Sequence, residues 1–493
     1  MKKLVLLGLM VVLGSMAMGQ AITVTKGAEG KNLNLEMLRE GIYICSQEGM
    51  HYWLTRCEDG PESFVRSDDW QLVKVDRDLN IAGRLELPRS NRSEVVVALR
   101  DYDRISIVLV DSSDDRHMAV MKAIVQIDSM QLLGHRMDTL MSYEYGKKDR
   151  CLVWGATSPN GEYVGVLALV QYTEKKQYIA RAEVYTSAME QVWGREYAVG
   201  TMHNMVVTDR GEMVTLGEER KGGEEHFLLN VLSARAGDTY EVTVGGDPVN
   251  DIEIVNVLNR RIICLGTFAP YKSDPAERMT GGMVSMVFDI DSATLTSYTL
   301  HQFENEDVNI LENKKTKKVQ KEREVQMVMP LSTVATPFGG VMAVGHRHML
   351  RYKNANGTDE INFFAQGIHL MAVDDKGEVK WIKNVRRNDM VKEADDLMYM
   401  ALFADGNTVC LAKSEHPKYP GDYNIAKEAP EYELGDKGNL VLYRVSEEGE
   451  VKKAVLEQKT KHSLMKAAKA GDGKVLMLTA NGNKTRMMEV DFE

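Results

Sequence analysis

Residues 369–385 read HLMAVDDKGEVKWIKNV, and this stretch decides the fold. Leu370 and Ala372, then Val379 and Trp381, stand at alternate positions, the period of a half-buried strand. Between the two runs lies Asp374-Asp375-Lys376-Gly377. The glycine accepts the positive φ of a tight turn, and the acidic residues tolerate turn geometry. The stretch is therefore a hairpin, and the chain repeats it. The same outline returns at 72–87, 123–137, 182–197, 228–244, 283–300 and 440–456, and a half-copy at 485–493 stops at the turn. Ahead of each copy run two more short apolar strands, such as EVVVALR (94–100) and RISIVLVD (104–111) before the copy at 123.

Four short antiparallel strands per repeat predict an all-β chain built as a β-propeller with four-stranded antiparallel blades. Counting the third strands, the last of which lacks a partner, gives eight blades of about 59 residues. The unpaired half-copy calls for a closing strand, and AITVTK (21–26) is the one available. Seven blades remain as the alternative if GIYICS and HYWLTR are not two separate strands. Three insertions interrupt the spacing, at 268–282, 301–324 and 414–438. The second is charged throughout with both signs balanced, which predicts a solvated helix or a mobile connection.

The resemblance is to the β-propeller superfamily and covers residues 20–493. Ala372-Val373-Asp374, Gly377 and Trp381 resemble one quinoprotein-type repeat, and Tyr185 to Trp193 resembles a poorer second copy. The other hairpins lack that tryptophan, so neither regular tryptophan docking nor a quinone cofactor is implied. Ser158-Pro159-Asn160-Gly161 resembles the turn of another group of exported propellers. The superfamily implies a fold without implying a function.

At the start, Lys2-Lys3, the apolar run LVLLGLMVVLG and Ala17-Met18-Gly19 form a secretory signal, residues 1–19, with cleavage expected after about Gly19. That run is too short to span a bilayer. An exported, periplasmic or extracellular location follows, with no membrane insertion. A net charge of −11 and no basic face argue against nucleic acid as partner. The 5 cysteines are odd in number, and Cys45, Cys151, Cys264 and Cys410 lie in apolar runs, as small buried hydrophobes do. Cys45 with Cys57 is the pair nearest in sequence.

Reactive constellations are sparse. His346 and His348 share one face of a strand, but no third ligand is placed beside them, so no metal site is expected. Asp76, Asp78 and Asn80 alternate as in a calcium loop, yet Ile81 and Leu87 stand where such a loop needs its glycine and bidentate glutamate. A hairpin turn explains them better. No cofactor is expected.

Two functions remain. A binding or scaffold propeller would recognise a protein or glycan through loops on one face. The alternative is a hydrolase or lyase acting on extracellular polysaccharide, with acidic residues converging on the central channel. The loops between second and third strands emerge on one rim, and Tyr271, Tyr419, Tyr423 and Tyr432 supply aromatic contact area there. These four are the candidate ligand-binding residues.

Overall fold

The computed structural model describes residues 22–26 and 41–492, apart from 57–68, 270–278, 313–324, 354–358, 393–398, 419–428 and shorter loop stretches. In the hairpin at 369–385, Leu370 stands opposite Lys383 and Ala372 opposite Trp381, with a register shift before Val373. The turn closes through Asp374 N–H to Glu378 O (2.9 Å) and Gly377 N–H to Asp374 O (3.1 Å). Asp374 Oδ1 accepts the N–H groups of Lys376 and Glu378, each at 2.9 Å. Gly377 has φ +81°, the left-handed region that glycine enters without penalty. A Cβ on it would sit 2.8 Å from Val287 Cγ2 of the neighbouring blade.

The turn at 76–80 is the same device, with Asp76 Oδ1 accepting from Asp78 and Asn80. Those carboxylates build a hairpin, as their spacing suggested. Here Leu79 takes the left-handed position, with φ +64°. Its side chain is buried in an apolar layer, and that burial offsets a strain of about 1–2 kcal/mol.

The strands assemble into eight four-stranded antiparallel units in chain order. Blades 1 to 7 span 42–86, 93–144, 150–198, 201–243, 249–302, 328–392 and 400–460. Blade 8 takes three strands from 463–492 and its outermost strand, Ile22–Lys26, from the other end of the chain. Val24 pairs with Val490 and Lys26 with Met488. Ile42–Gln47 and Met50–Arg56 are the first two strands of blade 1, which excludes the seven-blade count.

What joins the blades is apolar packing. Eight separate layers of buried side chains occur, one between each adjacent pair of blades. The layer joining blade 8 to blade 1 sets Trp53, Val73 and Val75 against Leu476, Leu478 and Met487. Each such side chain contributes about 1.5–3 kcal/mol relative to exposure. The ring is closed, and the chain is an eight-bladed β-propeller.

Blade 6 departs from its siblings. Its last three strands, Gly339–Lys353, Asp359–Asp374 and Val379–Lys392, run 15, 16 and 14 residues, against 8, 8 and 9 in blade 5. They extend the sheet well beyond the ring. The connection from blade 5 to blade 6 also departs from expectation. Its first part is no solvated helix: Asn305–Leu311 is an α-helix whose Val308, Ile310 and Leu311 are buried. Phe303, Val308 and Leu311 join the layer between blades 5 and 6. The charges that dominate the insertion fall mostly at 313–324, outside the described residues.

Candidate functional site

In an antiparallel four-stranded blade, the turns joining strands one to two and three to four lie at one end. The connections from strand two to three, and from blade to blade, lie at the other. Contacts follow that division. At the turn end, Asn160 N–H donates to Asp209 Oδ1 of the next blade (2.9 Å), and Arg261 pairs with Asp375 across blades 5 and 6 (2.8 Å).

At the loop end, the insertions of blades 5 and 7 each pair with a segment of blade 6 or just ahead of it. Met279–Thr280, from the blade 5 insertion, pairs antiparallel with Val325–Gln326, just ahead of blade 6. Tyr432–Glu433, from the blade 7 insertion, pairs parallel with Asp389 and Met390 on the extended edge of blade 6. Asn388 Nδ2 also donates to Ala429 O (3.2 Å). The extension of blade 6 is thus the post on which the loop of blade 7 is hung.

The helix is fixed to this post. Glu304 and Asp307 form a reciprocal capping box, with Glu304 N–H donating to Asp307 Oδ2 (2.7 Å). Asp307 Oδ1 accepts from Asn384 Nδ2 (2.7 Å) and lies 3.4 Å from His369 Nδ1. Burial alone raises a carboxyl pKa, but the bonds from His369, Asn384 and Glu304 hold Asp307 below the usual range. Gly367, with φ +57°, lets the helix end approach: a Cβ there would lie within 2.5 Å of Ile310 O.

Two further groups lie on the extension. His346, His348 and Phe364 form a stack, with centroids 5.0 Å apart for the two imidazoles and 4.9 Å for His348 and Phe364. Burial pushes both histidines down, so they stay neutral near pH 7. Among the described residues, no three His, Cys, Asp or Glu side chains gather in a ligating arrangement. Between blades 6 and 7 lies a buried charge network. Glu415 accepts from Tyr443 (3.1 Å) and Lys453 (2.8 Å), and Lys413 donates to Arg386 O (3.2 Å). Burial pushes the Lys413 amine down, against the pull of Glu415 and Asp389. Arg387 pairs with Asp389.

Of the four candidate tyrosines, Tyr271, Tyr419 and Tyr423 lie outside the described residues. Tyr432 is not an exposed contact. It is buried, its ring covers Gly438, and its hydroxyl donates to Asp436 O (3.3 Å), with burial raising it to about 12. Its role is to seat the returning insertion against blade 6. Cys45, Cys151, Cys264 and Cys410 are free thiols, and Cys57 lies outside the described residues. Along the first strands, which line the channel, Glu94 is bound by Arg56 (2.6 Å) and Glu253 by Thr333 (3.0 Å). Sequence reasoning missed Asp307, Lys413, Glu415 and the Arg386-Arg387 pair. The one available signal was the unbroken strand pattern through 339–353.

No family model and no curated protein matches the chain. Solved structures similar to it are propellers. The WD40 domain of SCAP from fission yeast is 8% identical, with 95% of this chain and 98% of that chain covered at TM-score 0.40. The β-propeller domain of the Trilobed protease from Pyrococcus furiosus is 10% identical, covering 81% and 94% at TM-score 0.34. Polysaccharide lyase Uly1 is 8% identical, covering 81% and 90% at TM-score 0.39. Likeness at this level says nothing of function, and the fold rests on the strand pairing itself.

Proposed function

We propose that the chain is an exported recognition propeller, which binds a protein or glycan on the loop face above blades 5 to 7. The observation that supports this most is the overlength sheet of blade 6, to which the insertion of blade 7 and a capped helix are tied, with the insertion of blade 5 paired to the strand just ahead of it. A ring needs none of these to close. Exposed Met349 and Leu350 near the tip of the extension add apolar contact area to that face. The tyrosines of the two insertions, Tyr271, Tyr419 and Tyr423, remain the proposed contact residues. Export rests on the basic, apolar, small-residue order of residues 2–19. The channel reading, as a hydrolase or lyase, has less support, since Glu94 and Glu253 are each engaged in bonds between blades.

The test replaces 419–428 by a short Gly-Ser linker, which leaves the Tyr432 strand in place. Binding is then scored on a glycan array and against purified exported proteins. The expected result is lost binding with unchanged thermal stability. Binding that survives this replacement, and a matching one of 270–278, overturns the proposal.

A further inference from the structure

The second strand of blade 6, Gly339–Lys353, outruns its inner neighbour. Its register with the first strand, Val328–Thr336, ends where Val328 meets His346. Its register with the third strand runs on to Lys353 opposite Asp359. From His348 to Lys353, therefore, no strand lies on the inner side among the described residues. The first strand of a blade is the innermost, so this open side faces the channel axis at the loop end. An open edge presents a row of backbone N–H and C=O groups, a template for one more strand. A rise of about 3.3 Å per residue makes this edge about 20 Å long.

The edge is suited to receive a strand. No proline falls within 347–353, and Met349 and Leu350 are 55% and 52% exposed, with Met329 exposed at the foot of the edge. The opposite edge of the same extension already holds an added strand, Tyr432–Glu433, parallel to Asp389 and Met390. Charge then selects the occupant. Residues 347–353 read RHMLRYK, with three basic residues and no acidic one. A second copy laid antiparallel along this edge would set basic residues against basic ones. The chain's own stretch 313–324 would do the same, since it carries six basic residues against two acidic. It is otherwise well placed: Leu311 on one side of it is bonded through its backbone to the His346 imidazole, and Val325 on the other lies just ahead of Val328.

We infer that the inner edge of the blade 6 extension takes an extended acidic segment of a partner protein by strand addition. Main-chain bonds hold the segment. Its apolar side chains, on one face, lie against Met349 or Leu350, and its carboxylates answer the basic charge of the edge. The inference rests on the loop face of blades 5 to 7 being the recognition face, and it narrows the partner there to a protein.

Selection of the full chain's ligands from a displayed library of random dodecapeptides tests it. Peptides that alternate apolar and acidic residues should be enriched. A synthetic peptide of the enriched sequence should bind in fluorescence anisotropy, about tenfold more weakly at about 0.5 M salt, and not at all once its backbone nitrogens are methylated. Successive N–H groups of a strand point to opposite edges, so of Met349→Pro and Leu350→Pro only one removes a group on the open side. The more stable of the two variants should bind about tenfold less or worse. No enrichment, enriched peptides without acidic residues, binding that survives backbone methylation, or a more stable proline variant that binds as the parent does would overturn the inference. So would binding seen only after 393–398 (EADDLM) is replaced by a Gly-Ser linker, which would give the edge to that stretch. Partner binding that is lost on replacing 419–428, while no acidic peptide binds, keeps the recognition face and overturns the strand addition alone.

Discussion

Gly449 holds the turn of blade 7 in the left-handed region, with φ +82°, and its open side receives Trp381 of blade 6. A Cβ would lie 2.9 Å from Trp381 Cβ. Trp381 of blade 6 therefore docks on the turn glycine of blade 7 at this junction. A related contact joins blades 3 and 4, where Trp193 Nε1 donates to Gly211 O at 2.8 Å. Backbone strain and collision act together at Gly449, and neither is relieved by moving a flexible side-chain end. Gly449→Ala should cost about 1–3 kcal/mol, read as a lower midpoint in denaturant. Gly406, with φ +55° but open space around it, should lose less on the same change.

At the scale of elements, the strands were legible and the burial of the helix was not. Alternation in 369–385 and its copies is a local property, so the hairpins emerge from neighbouring residues alone. The Asp307 contacts to His369 and Asn384 join positions 62 and 77 apart, and no local period encodes them. Charge patterning misled for the same reason. The acidic first turn of Asn305–Leu311 is a cap, and its apolar residues face a neighbour that the sequence does not display. Tyr432 failed likewise: a tyrosine in a Pro- and Gly-rich insertion reads as surface until the edge of blade 6 is seen beside it. Asp307→Ala removes the cap and leaves Asn384 Nδ2 without its acceptor, while His369 Nδ1 keeps Asn384 Oδ1. The expected loss is about 2–4 kcal/mol of stability, measured by chemical denaturation. Protection of residues 303–311 in hydrogen exchange should fall with it.

Over the whole molecule, closure is the organising fact. Every blade shares an apolar layer with both neighbours, so no blade ends the array. The closing strand also carries charge across the join. Lys26 lies 3.4 Å from Glu457 of blade 7, and Arg486 of blade 8 bonds the same carboxylate. His51 of blade 1 lies 3.3 Å from Glu489 of blade 8. The unpaired half-copy at 485–493 foretold this join, because a third strand without a fourth must find one elsewhere. Removing residues 20–27 tests the closed ring most directly, with thermal unfolding followed by circular dichroism. The closed ring predicts a fall of several degrees in the unfolding temperature and exposure of blade 8 to protease, with removal of residues 20 and 21 alone having no effect. An unfolding temperature unchanged by the longer deletion would contradict it.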